Sequence, residues 1–220
     1  MLVINHAATA LVIKRRFRKV PMVWLLVSVQ LVEMLWVFVS LAGLTWQTAR
    51  DWLEDIPLSY IPYAHSIVSS AAIALVAWLV LAKLLRRYAL GAAVAVGIVS
   101  HVALDLLAHA QDVAFAPFAG SAALGLGLHD MPWPGFAVEA AYGVLCWRVF
   151  RGTKRLLAAI LAFNLASLFF APHLDGPEGL LARPPAWLVV AVAVEIVLTV
   201  ALVWHFSRAR AVELEGWLGR

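Results

Sequence analysis

The 220-residue chain is 64% hydrophobic and only 14% charged, with a formal net charge of +4 and a single cysteine; its mean hydropathy is +0.89. A composition this apolar excludes an ordinary water-soluble domain and fits a chain whose solvent is lipid. Cys146 stands alone inside an apolar run, so neither a disulfide framework nor a cysteine-based metal knot is available, and its side chain is expected to face lipid or to pack.

In chain order, the segment from Met1 to Ile13 is apolar but would rise only about 20 Å as a helix, against a hydrocarbon core of about 30 Å. It is expected as a half-helix tucked against the bundle. The basic cluster at 14–19 follows this stretch instead of preceding it, with no small-residue cleavage site, so no removable signal peptide is expected. Apolar runs then lie at 21–46, 64–85, 89–110, 134–150, 154–171 and 186–206. Each is near membrane-crossing length, and lipid, which cannot satisfy backbone polar groups, forces each into helix. The expected fold is all-α: a polytopic membrane helical bundle of about six transmembrane helices plus the N-terminal half-helix, forming one domain over 1–220.

Basic residues at 14–19, 83–87, 148–155 and 208–220 account for 15 of the 17 in the chain and all fall in connections on one side. The positive-inside rule makes that side, and the C-terminus, cytoplasmic, which is the arrangement of a multi-pass membrane protein. The opposite loops carry the acids Asp51, Glu54, Asp55, Asp112, Asp130, Asp175 and Glu178, most of the prolines and several tryptophans at interfacial positions. Positive charge spread over four short segments orients the chain and does not form a nucleic-acid-binding stripe. The partners expected are membrane lipids, not nucleic acid.

Ionisable residues inside spans are costly and need a partner or a task. Glu33, His101, Asp105, Glu139 and Glu195 lie inside the runs, and His6, His65 and His109 lie in the half-helix or near span ends. The segment Ser100-His101-Val-Ala-Leu-Asp105-Leu-Leu-Ala-His109 is the most informative, because four-residue spacing stacks two imidazoles and a carboxylate on one helix face. That is metal-ligand spacing, and nitrogen with carboxylate oxygen suits zinc, with manganese or iron as alternatives. One helix offers too few ligands, so Glu33, His65 and His6 are the natural complement. The alternative is a buried His–Asp hydrogen bond locking two helices together. His109, where its helix meets water, suits a proton shuttle. Glu139, near an outer span end, suits a general base or a partner of a ligand. Glu195 is expected to pair within the bundle, for example with Asn164.

Asn5-His6, Val-Gln-Leu-Val-Glu33-Met-Leu-Trp, Tyr63-Ala-His65-Ser66, Ser100-His101 through Asp105 and His109, and Leu124-Gly-Leu-Gly-Leu-His129 occur in that order. Over residues 1–150 this order resembles the YdjM-like membrane-bound metal-dependent hydrolases. That family is distantly similar to the helical zinc phospholipases C and single-strand nucleases. The resemblance implies that Glu33, His65, His101 and Asp105 hold one metal and that Asp105 with His6 approaches a second. Glu33 stands where those relatives usually carry Asp, and no later His-x-x-x-Asp/Glu pair follows His109, so one or two metals are expected instead of three.

The reading that follows is a metal-dependent hydrolase acting on a lipid or membrane-proximal phosphoester, the phosphoester being what the resemblance implies. Glu139 or His109 would move protons. Two rivals stand beside it: an ion- or proton-coupled transporter built on the same buried groups, against which the lack of repeated halves counts, and a non-catalytic structural or assembly protein.

Overall fold

A computed structural model describes residues 2–46, 66–109, 111, 113–118, 120–167 and 185–216. Seven α-helices run through them: α1 Val3–Arg16, α2 Met22–Trp46, α3 Ile67–Trp78, α4 Tyr88–Ala108, α5 Pro132–Phe150, α6 Lys154–Ser167 and α7 Pro185–Gly216. Between α4 and α5 a short antiparallel hairpin pairs β1 (Val113–Ala114) with β2 (Ala123–Leu124), in register Val113 to Leu124 and Ala114 to Ala123. Helices follow the apolar runs because only intrasegment hydrogen bonds satisfy the backbone of such a sequence in lipid.

The half-helix does not lie on the side of the bundle. All of α1 from Val3 to Leu11, with Ile13 and Lys14, is buried, and the helix touches α2, α4, α5, α6 and α7. Its alanines Ala7, Ala8 and Ala10 are fully enclosed, and small side chains of this kind let neighbouring backbones close in. The far end of α1 is held by Lys14, whose ammonium donates to Arg18 O at 2.8 Å, Val20 O at 2.7 Å and Glu215 Oε1 at 2.5 Å. Three acceptors match its three donors, which is how a fully buried lysine is tolerated.

Two contacts set the helix spacing around the site. At Gly97 on α4, an added Cβ would lie 2.0 Å from Ser28 Oγ and 2.7 Å from Ser28 Cβ on α2. At Gly143 on α5, it would lie 2.5 Å from Ile160 Cγ2 on α6 and 2.9 Å from Asn5 Oδ1 on α1. Only glycine permits these approaches, and they bring the polar faces of α1, α2, α4 and α5 together.

Ser66 caps α3, its Oγ accepting from Ser69 N at 3.1 Å, and the helix continues through a π-helical turn at Leu79–Leu84. Helix α5 ends on Arg151 in the left-handed region at φ 58°. Helix α7 continues beyond the apolar run at 186–206 to Gly216, and its 32 residues span about 48 Å. It stays helical because Ala211 and Leu214 pack into the same core as α1 and α2, while Glu215 pairs with Lys14. Cys146 is buried in that core, so of its two expected roles it packs.

Among the described residues, four helices are long and apolar enough to cross a membrane: Met22–Val39, Ile67–Leu84, Tyr88–Ala108 and Val189–Gly216. Helix α6 has 14 described residues, and α5 carries a Pro-Trp-Pro-Gly start, Glu139 and Arg148, which place both outside that set.

Candidate metal centre

His101 is positioned by α4 and oriented by α2. Its Nδ1 lies 2.8 Å from Val29 O, a carbonyl that can only accept, so Nδ1 carries the hydrogen. In the neutral ring Nε2 is then the lone-pair nitrogen, which is the tautomer of a metal-binding histidine held by a backbone carbonyl. That nitrogen faces Asp105 Oδ2 at 3.0 Å and Glu33 Oε2 at 3.5 Å.

Asp105, one helical turn on, uses its other oxygen toward α1: Oδ1 lies 3.1 Å from His6 Nε2. The His6 and His101 rings are stacked, with centroids 4.0 Å apart and planes 22° from parallel. Two stacked imidazolium rings would repel at that distance, so charging both is a poor way to balance the carboxylates. His6, His101 and Asp105 each offer one ligand atom, and these atoms lie within 4.8 Å of one another; all three side chains are buried. The separations of 3.0 Å from His101 to Asp105 Oδ2 and 3.1 Å from His6 to Asp105 Oδ1 are near the roughly 3.3 Å ligand spacing of a site with 2.0–2.1 Å bonds. Two imidazole nitrogens and one carboxylate therefore suit a divalent cation in chemistry and spacing, with Glu33 3.5 Å from His101 Nε2 beside them, and the cluster can hold one.

A second set of polar groups lies beside the first. His109 ends α4, its Nε2 4.0 Å from Asp105 Oδ1, and its ring centroid is 5.6 Å from that of His129. His129 sits in a 3-10 turn, Leu128–Asp130, which follows Gly127 in the left-handed region. That loop is tied to the end of α4 by Leu126 N to Leu106 O at 2.9 Å and Gly127 N to His109 O at 2.7 Å. His129 Nε2 in turn meets Glu139 Oε1 at 3.1 Å.

Glu139 is buried and engaged on several sides. Its carboxylate accepts from Leu2 N, the N-cap amide before α1, at 3.1 and 3.2 Å, and from the Asn5 side-chain amide. A carboxylate at a helix N-terminus satisfies an orphan amide and meets the positive end of the helix dipole. Asn5 also donates to Glu139 O and to Asn164 Oδ1, both at 3.0 Å. The first turn of α1, which carries His6, is thereby fastened to α5 and α6.

Of the residues singled out in the sequence, the fold brings together His6, Glu33, His101 and Asp105, with His109 beside Asp105. Glu139 reaches the same region through His129 and α1, while Glu195 on α7 is within electrostatic range of Glu33 and Glu139. Asn164, the partner expected for Glu195, exchanges hydrogen bonds with Asn5. His65 lies outside the described residues. Asn5 has a role that composition does not reveal; its only signal is its place next to His6. Comparison with protein-family models, curated proteins and solved structures finds no match to this chain.

Proposed function

We propose that the protein is a membrane-embedded metal-dependent hydrolase of phosphoesters, one domain of six membrane-crossing helices around the buried α1, in a bacterial inner membrane with its C-terminus cytoplasmic. The observation that carries this reading is the orientation of His101. Its Nδ1–H is committed to Val29 O, so Nε2 faces Asp105 and Glu33 at cation-sharing distances. Four apolar helices and the one-sided distribution of basic residues support the membrane setting, with α5 and α6 as the further spans. The ordered resemblance to the YdjM-like hydrolases supports the reaction class.

His6, His101, Asp105 and Glu33 would hold the ion, with His65 as the fifth residue implied by the resemblance. Bound there, a divalent cation, zinc by its ligand set, would supply Lewis acidity toward water and a phosphoryl oxygen. The chain's own contribution is orientation and access. Val29 O fixes the His101 ring, Asp105 spans the two imidazoles, and Glu139 with Asn5 holds α1 so that His6 stays in register. His109, 22% exposed and 4.0 Å from Asp105, is placed to pass a proton between the buried cluster and His129. His129 is 41% exposed and in contact with Glu139.

The test is metal content. Detergent-purified protein carries near-stoichiometric zinc or manganese by elemental mass spectrometry, and the Asp105→Ala/His101→Ala double variant does not. Absence of metal from both, even after reloading, defeats the hydrolase reading and leaves the transport or structural ones. If metal is present, turnover of phosphoesters, including lipid ones, is measured next.

A further inference from the structure

At the end of the bundle remote from the metal cluster, basic side chains from three separate segments converge. Arg15 at the end of α1 is within electrostatic range of Arg18 in the following turn, Arg151 after α5 and Arg210 on α7. Two grooves share Arg15. One, of about 530 Å³, is lined by Arg15, Arg16, Arg18 and Lys19, with Ala89 at the start of α4. The other, of about 560 Å³, lies between α1 and the end of α5 and is lined by Arg15, Leu145, Arg148, Val149 and Arg151. Among the described residues, the acids at this end are Glu213, paired with Arg210, and Glu215, paired with Lys14.

Orienting a membrane protein requires cations in each cytoplasmic loop, not their convergence on one point. Guanidiniums gathered without matching carboxylates repel one another and call for an anion. Arginine forks match phosphate oxygens in two-point geometry. The backbone adds a second feature, because Arg151 is held at φ 58°, a conformation that non-glycine residues adopt at a cost.

The lining of the second groove decides what kind of anion fits. Leu145, three residues before Arg148 and so about one turn deeper along α5, is 55% exposed, and the exposed Val149 lies beside it. On α1, the exposed Val12 stands one turn before Arg15. Cations above and exposed apolar side chains below match the two halves of a phospholipid, whereas free phosphate would use only the upper half.

The geometry points to a binding site for an anionic phospholipid in the groove between α1 and α5, its phosphate held by Arg15, Arg148 and Arg151 and its acyl chain lying along Leu145 and Val149. The site stands apart from the metal cluster and depends on the membrane reading alone, so its failure leaves the hydrolase proposal untouched.

The test uses the full chain in neutral detergent, examined by native mass spectrometry with phosphatidylglycerol or phosphatidylcholine of identical acyl chains. One basic side chain near a membrane surface contributes roughly fivefold to the binding of anionic lipid, so three give on the order of a hundredfold preference for phosphatidylglycerol. Arg15→Gln/Arg148→Gln/Arg151→Asn removes that preference; Asn is used at 151 because it tolerates the left-handed backbone. Lys154→Gln/Arg155→Gln, which removes two exposed cations from the start of α6 outside both grooves, retains it. Equal retention of the two lipids by the unsubstituted chain overturns the proposal without recourse to any variant. So does an equal loss of preference in the Lys154/Arg155 control, which would mean that bulk charge is what is read. Displacement of phosphatidylglycerol by millimolar inorganic phosphate would also overturn it, by showing that the acyl chain adds nothing.

Discussion

Asp105→Asn separates a metal-binding cluster from a hydrogen-bonded one, because it keeps the shape of the side chain and removes the charge that both imidazoles face. Asp105 presents Oδ2 to His101 at 3.0 Å and Oδ1 to His6 at 3.1 Å, and is itself buried. Replacing it takes away a carboxylate that reaches both rings. Breaking a buried charge pair by removing one partner costs about 3–5 kcal/mol. Applied to the bound cation, that is a loss of roughly two to nearly four orders of magnitude in affinity. The metal-free fold is expected to survive, since an amide can donate to one imidazole nitrogen and accept from a protonated one, so the melting temperatures of the stripped proteins should agree within a few degrees. Zinc at a hundred times its dissociation constant stabilises the unsubstituted protein by about 2.7 kcal/mol, and at the same concentration Asp105→Asn shows almost no shift. Titration of chelator-stripped protein against a competing metal dye, with parallel melts in detergent, reads both quantities. Equal zinc affinity in the two proteins would refute the assignment of Asp105 as a ligand. If neither binds zinc, the cluster is a hydrogen-bond network.

Gly97→Ala forces a Cβ to 2.0 Å from Ser28 Oγ and should destabilise the protein by about 1–3 kcal/mol; thermal melts should show part of the loss recovered in Gly97→Ala/Ser28→Gly. Glu139→Gln weakens the hold on Leu2, Asn5 and His129 while leaving the ligands in place, so zinc affinity should fall by about 10–100-fold, as for other supporting partners of a metal site. An unchanged dye titration would remove Glu139 from that role. Lys14→Met leaves Arg18 O, Val20 O and Glu215 without their shared donor, and limited proteolysis should cut the α7 end more readily there than in Glu215→Gln, because Glu215 is 40% exposed and its carboxylate can be hydrated instead.

The helices were legible because long apolar runs can satisfy their backbone within the segment only as helix, and the runs at 21–46 and 89–110 coincide closely with α2 and α4. Hydropathy alone misjudges α1. A 14-residue helix looks too short to belong to the interior, yet Asn5, Thr9 and Lys14 on it are all buried, and polar groups at that spacing in an apolar helix mark a helix surrounded by protein instead of lipid. The end of α7 is hidden for the opposite reason. Its charged residues end the apolar run at 206, while Ser207, Ala211 and Leu214 form a narrow buried stripe at four- and three-residue spacing.

The candidate site divides along the same physical line. His101 and Asp105 are visible because one helix sets their spacing, and Asp105 with His109 repeats it. No local rule joins His129 to Glu139, or Leu2 and Asn5 to Glu139, since these contacts span a loop of irregular backbone or more than 130 residues of chain. The Asn5 contact depends on the close approach at Gly143, where Asn5 Oδ1 would stand 2.9 Å from an added Cβ. A glycine in the middle of an apolar helix, on the face shared with a glutamate four residues earlier, is therefore the sequence signal for this half of the site. It places the support of His6 on α5 instead of on α1 itself, so the metal affinity of the cluster should depend on packing at Gly143 as well as on the ligands.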